Sequence, residues 1–244
     1  ARELWETILE IRYRTGEPCI HFITESNRHL PQPLKDIGLR VNSSNLCQEI
    51  MLPTSEDRTA VCCLSSLNLD KFDEWENTPL VADMITMLDN VLEFFVQHAP
   101  DELAKARFSA KRERSLGLGA MGFHSWLQKN NIAWESDEAR TENERIFSYI
   151  SEQAEAQTRR LARERGEYPD GYGTGRRNAH LTAIAPNANS GMILNVSPSI
   201  EPYNANTFTQ RSRIGSYLIK NPYLTNVLEK NNKNNESTWK SNML

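Results

Sequence analysis

The sequence predicts an α/β fold on three observations. Short apolar runs at residues 59–64 and 180–185 read as strands, long stretches at 80–95 and 136–166 carry the 3.6-residue helical period, and the two kinds alternate along the chain. With 244 residues and 39% hydrophobic content, one large domain can bury its own core.

Taken in order, Leu4, Trp5, Ile8, Leu9 and Ile11 form one helical stripe, which Gly16 and Pro18 terminate. Residues 19–23 read as a short strand, and 24–43 as an irregular connection broken by Pro31, Pro33 and Gly38. Residues 53–58 read as a turn, followed by the 59–64 strand, which is expected to pair with residues 45–51. Thr78 and Pro79 start a buried helix through Leu80, Ile85, Leu88 and Leu92. Gly117-Leu118-Gly119-Ala120-Met121-Gly122 matches G-x-G-x-x-G, but no apolar strand precedes it. Residues 115–130 are therefore expected to be a helix whose glycines allow close packing, not a dinucleotide site. Ser136 opens a helix that stops at Gly166; residues 168–175 read as a loop, and Asn221 with Pro222 starts a last helix. The tail, 231–244, is expected to be mobile, since 231–235 is almost all asparagine and lysine.

The charge balance excludes some function classes. A net charge of -4 gives no broad footprint for nucleic acid, and the basic runs are interleaved with acids as on solvated helix faces. No apolar run approaches the roughly 18 residues of a membrane span, and no signal-peptide pattern leads the chain, so a cytoplasmic protein is expected. Cys19, Cys47, Cys62 and Cys63 lack structural-zinc spacing and are too few for a disulfide scaffold; no metal site is expected, and the five histidines read as ordinary surface or core residues.

One stretch carries chemistry that no core requires. In Ser44-Asn45-Leu46-Cys47-Gln48-Glu49-Ile50, an extended backbone would set Asn45, Cys47 and Glu49 on one face. An amide that holds hydroxyls, a thiol that gives a hydrogen atom and a carboxylate that accepts a proton would then stand in line. Adjacent Cys62 and Cys63 would face opposite sides, so that one of them could approach Cys47. Farther on, the turn Pro186-Asn187-Ala188-Asn189-Ser190-Gly191 can offer backbone N–H groups and small polar side chains to an anion.

With Cys62-Cys63-Leu64-Ser65-Ser66-Leu67-Asn68-Leu69, Arg114-Ser115-Leu116-Gly117-Leu118-Gly119, Ile184-Ala185-Pro186 and Ile200-Glu201-Pro202, these motifs resemble the large catalytic subunit of class I ribonucleotide reductase, in order and over nearly the whole chain. The resemblance implies part of a ten-stranded α/β barrel, with a central finger loop at about 42–52 and a phosphate-binding turn at about 185–192. It implies that Cys47 is the thiyl-radical cysteine, Glu49 the acceptor of the 3′-hydroxyl proton, Asn45 the hydroxyl anchor and Cys62 one of two reducing cysteines. Ser44, Pro186, Asn187, Ala188, Asn189 and Ser190 would bind substrate, with Asn189 standing where a hydroxyl residue often sits.

The resemblance also implies partners: a ribonucleoside diphosphate, a metal-containing small subunit that supplies the radical, a thiol reductant of the thioredoxin or glutaredoxin kind, and complementary large-subunit segments in an oligomer. The partner cysteine, the tyrosines that carry the radical in and the effector-binding region would lie on those segments. The chain is thus expected to be one segment, 1–244, of a catalytic barrel and inactive alone. An adenosylcobalamin-dependent reductase and a noncatalytic assembly fragment of the same fold are the alternatives.

Overall fold

The computed structural model describes residues 1–213 and 215–241. Its elements are α1 (Arg2–Thr15), α2 (Ile23–His29), α3 (Gln32–Asp36), β1 (Leu64–Asn68), α4 (Phe72–Trp75), α5 (Leu80–His98), α6 (Ala104–Glu113), β2 (Gly117–Met121), α7 (Phe123–Lys129), α8 (Asp137–Arg165), α9 (Ala188–Leu194), β3 (Thr207–Ser212), β4 (Gly215–Lys220), α10 (Pro222–Lys230) and α11 (Glu236–Lys240).

Strands β1 and β2 run parallel, Leu64 opposite Gly117 through Asn68 opposite Met121, so the chain between them must cross over, and α4 to α6 make that crossover. A third extended segment lies along the other side of β2: Leu116 N donates to His180 O at 3.0 Å, Leu118 N to Leu181 O at 2.8 Å, and Ala183 N to Leu118 O at 3.3 Å. One face of this small parallel sheet packs into the main core. Cys63 just before β1 and Leu67 within it, and Leu116 just before β2 with Leu118 and Ala120 within it, join Ile85, Leu88 and Leu92 of α5 and the Ile146, Ile150 and Leu161 row of α8 in one core. These helix positions follow the 3.6-residue period, so each helix gives the sheet one apolar stripe.

The other face is kept open by glycine. A Cβ on Gly117 would stand 2.3 Å from Leu64 Cδ2, and one on Gly119 would stand 2.4 Å from the Ala183 carbonyl oxygen. Residues 115–121 are therefore extended, not the helix expected from their sequence. Only bare glycines let β1 and the 180–183 segment approach so closely, and the helix begins after Gly122, whose φ is +81°. The dinucleotide reading fails for the same reason, since the glycines are inside the strand and not in a loop after it.

Further expectations are corrected. The strand starts at Leu64, not residue 59, and pairs with β2; residues 45–51 cannot serve as its partner because that segment closes on itself through Asn45 and Ile50. Residues 19–22 are irregular, and the supposedly irregular 24–43 stretch holds α2 and α3, which build a second small core from Leu30, Leu34, Val41, Tyr168 and Ala179. Beyond residue 200, β3 and β4 form an antiparallel hairpin that sequence reading did not foresee. Within the tail expected to be mobile, α11 is capped by Asn235 and buries Trp239; residues 242–244 lie outside the described residues.

Two buried ionic nodes fix the corners around β2. Asp89 of α5 accepts from Arg114 Nη2 at 2.8 Å, Arg165 Nη1 at 2.9 Å and Asn178 Nδ2 at 3.1 Å. Arg58 donates to Glu113 at 2.9 Å and to Asp170 at 2.6 Å, and Arg112 also reaches Asp170. Burial alone would raise the Asp89 carboxyl, but Arg114, Arg177 and Asn178 together hold it below the usual carboxylate range. Because of the glycine spacing, Gly119→Ala is expected to cost about 1–3 kcal/mol through overpacking, read as a lower thermal midpoint. An unchanged midpoint would contradict the close packing of 180–183 on β2.

Candidate active site

The cysteine stretch is a folded-back loop rather than an extended run. Asn45 N donates to Ile50 O at 3.3 Å, Ile50 N donates to Asn45 Oδ1 at 3.0 Å, and Gln48 N donates to Asn45 O at 3.2 Å. Gln48 takes a φ of +64°, which breaks the strict alternation expected of Asn45, Cys47 and Glu49. The loop is anchored below by buried Ile50 and Leu52, and by Asn27, whose amide brackets the backbone of Val41 at 2.8 and 2.9 Å. Cys47 is exposed at the tip, Ser44 is half-buried with its hydroxyl on the Asn45 carbonyl, and the Asn45 amide N–H groups have no partner among the described residues.

From this loop Glu49, Ile50, Met51 and Leu52 form one wall of a cavity of about 400 Å³, with Cys62, Cys63 and Leu64 on a second wall. Ser115, Leu116 and Gly117 with His180, Thr182 and Ala183 supply the third, and Glu25, Ser26 and His29 of α2 close the rim. Cys62 and Cys63 face opposite ways, as alternation predicts. The Cys63 thiol is buried and donates to Leu88 O at 3.4 Å, whereas Cys62 is exposed toward the cavity.

The electrostatics suit a reserve of neutral thiol. Partial burial pushes the Cys62 thiol up, and the nearby Glu49 carboxylate and Cys47 raise it further, so Cys62 stays S–H at neutral pH. This coupling also puts Cys47, Glu49 and Cys62 within electrostatic reach of one another. Burial pushes Cys63 up to about 11. Glu49 Oε2 is buried without a hydrogen-bond partner among the described residues, and such an orphaned acceptor fits a ligand hydroxyl.

Along the open face of β1, Cys62, Leu64 and Ser66 follow at two-residue spacing. Ser66 Oγ stands 3.0 Å from Asn187 Oδ1, which draws the predicted anion-binding turn onto the same face. Four residues of strand separate Cys62 from Ser66, about 13 Å. Asn187 (φ +53°) caps α9, its carbonyl accepts from Gly191 N at 2.8 Å, and Pro186, Ala188, Asn189 and Ser190 are exposed. The side chains of Asn189 and Ser190 make no hydrogen bond among the described residues, and the backbone N–H groups of the first turn point outward from the helix start.

Sequence reading missed part of this site. Ser115 and His180 meet at 2.9 Å on the inner wall, although each looks ordinary where it stands, and only the pairing of β2 with the 180–183 segment joins them. No group of three or more His, Cys, Asp or Glu side chains able to hold a metal ion is found among the described residues, and no helix among them is long and apolar enough to cross a membrane.

Comparisons with known proteins show the family. The family model for the ribonucleotide reductase barrel domain matches residues 1–174 and 169–243. A Frog virus 3 (isolate Goorha) protein named for the large subunit of ribonucleoside-diphosphate reductase is 52% identical over 244 residues, covering 99% of this chain and 43% of its own length. The ribonucleoside-diphosphate reductase large subunit of Invertebrate iridescent virus 3 is 50% identical over 246 residues, covering 99% of this chain and 39% of its own. Among solved structures, the Actinobacillus ureae class Id ribonucleotide reductase alpha subunit superposes with a TM-score of 0.90 at 40% identity, over 98% of this chain and 45% of that one. The chain spans less than half the length of these proteins.

The coupling of Cys62 to Glu49 can be checked directly. Glu49→Gln is expected to speed alkylation of Cys62 at mildly alkaline pH by lowering its pKa, as read by residue-resolved mass spectrometry. An unchanged Cys62 rate would place the carboxylate elsewhere.

Proposed function

Because the chain belongs to the ribonucleotide reductase family and forms part of its barrel domain, we propose that it is the catalytic-core segment of a ribonucleoside-diphosphate reductase. The observation that carries this reading is the shared face: a thiol and an orphaned carboxylate oxygen at one end, and the Asn187 turn about 13 Å along the same strand at the other.

In this reading a sulfur radical on Cys47 takes the hydrogen atom from ribose C3′, and Glu49 takes the 3′-hydroxyl proton. Cys62 and a second thiol outside this chain give two electrons and two protons; the 2′-hydroxyl leaves as water, the two sulfurs close to a disulfide, Glu49 returns its proton to the 3′-oxygen, and Cys47 returns its hydrogen to C3′. The raised pKa of Cys62 keeps it in the hydrogen-bearing form this step consumes. Asn45 holds the substrate hydroxyls with its free amide N–H groups, beside Ser44. The α9 turn, with Pro186, Asn187 and Ala188 shaping the backbone and Asn189 and Ser190 free to donate, receives the phosphates.

The same reading requires partners: a radical-generating small subunit, a thiol reductant to reopen the disulfide, and complementary large-subunit segments. Two exposed apolar stripes suit the last of these. Leu4, Trp5, Leu9 and Ile11 on α1, and Met87, Val91 and Phe94 on α5, are exposed.

Mixing the chain with complementary large-subunit segments, a radical-generating subunit, thiol reductant and a ribonucleoside diphosphate is expected to yield deoxynucleotide, and Cys47→Ser is expected to abolish it. If no product forms with either chain, a noncatalytic assembly fragment is the correct description.

A further inference from the structure

On the inner wall of the cavity, Ser115 and His180 take no part in the thiol chemistry, yet they are held with care. Ser115 precedes β2, where Arg114 is fixed by Asp89 and donated to from below: Asn178 Nδ2 reaches the Arg114 carbonyl at 2.9 Å and Asp89 Oδ1 at 3.1 Å. Both neighbours of the pair are thus pinned to one buried node. His180 Nδ1 lies 2.9 Å from Ser115 Oγ. Two residues before Ser115, Glu113 is held by Arg58, which pairs with Asp170.

Burial and the Arg176 charge push the imidazole down to about 4, so the ring is neutral and carries a single N–H. With Nδ1 engaged by Ser115, Nε2 is the nitrogen left to meet a ligand. It has no partner among the described residues, and the ring lines the cavity that Glu49 and Cys62 share.

We propose that His180 is a further substrate-binding residue, whose Nε2 hydrogen-bonds a ribose hydroxyl of a ribonucleoside diphosphate seated between Glu49 and Cys62, with Ser115 as the positioning residue that orients the ring. This rests on the reductase reading. A neutral ring is suited to that place, because it holds a hydroxyl without adding a charge beside Glu49.

The test uses the reconstituted reductase and the isotopically labelled chain. His180→Phe is expected to raise KM for the ribonucleoside diphosphate about two- to tenfold, the worth of one hydrogen bond, with kcat little changed. His180→Gln, whose amide oxygen can stand where Nε2 does, is expected to restore KM. Nitrogen-15 spectra of the labelled chain in the assembled reductase are expected to show the His180 Nε2 resonance move on addition of the ribonucleoside diphosphate, and Ser115→Ala to weaken that response. Should His180→Phe fail to fold, the response of the wild-type ring still decides. An Nε2 resonance that substrate leaves unmoved, or an unchanged KM in a folded His180→Phe enzyme that still turns over, overturns this inference and leaves the reductase reading standing. A wild-type assembly without turnover counts against that reading instead.

Discussion

The interaction on which the rest depends is the buried node of Asp89 with Arg114. Both side chains are removed from water, and such a pair is tolerated only when every remaining valence is met. Arg165, Arg177 and Asn178 meet them here, which ties α5, the corner before β2, the end of α8 and the approach to residue 180 to a single point. Arg114 itself takes a φ of +51° to make that corner. The geometry of the cavity follows, since Ser115 and His180 leave this node in fixed register and Cys62 enters on the strand paired with β2.

From that frame the two faces of the sheet separate by chemistry. The core face is aliphatic and close-packed, which makes the sheet rigid. The opposite face is stripped to Gly117 and Gly119 in the middle, so a ligand can lie near backbone while its reacting end meets Cys62 and Glu49. A rigid floor would suit the proposed radical chemistry, because reacting atoms must be held within contact distance.

Much of this was legible in the sequence and some was not. The set Asn45, Cys47, Glu49 and Cys62 stood out because no core needs those groups at that spacing, and the opposite facing of Cys62 and Cys63 followed from the strand period. The mutual order of Asn45, Cys47 and Glu49 did not follow, since the positive φ of Gln48 and the Asn45–Ile50 closure are not periodic signals. Residues 115–121 read as helix because a glycine-rich strand is stabilised by neighbours distant in sequence, Leu64 and Ala183, that local propensity cannot register. His180 was passed over for the same reason: its partner is 65 residues away.

The account's central claim is that one strand face holds the reacting thiol at one end and the phosphates at the other. A ribonucleoside diphosphate carrying a thiol-reactive group at the ribose 2′ position measures this directly, with labelling followed residue by residue. The account predicts selective modification of Cys62 that inorganic pyrophosphate suppresses and that Asn189→Asp with Ser190→Asp slows. Equal labelling of Cys19 and Cys62, or labelling of Cys62 indifferent to pyrophosphate, would contradict it.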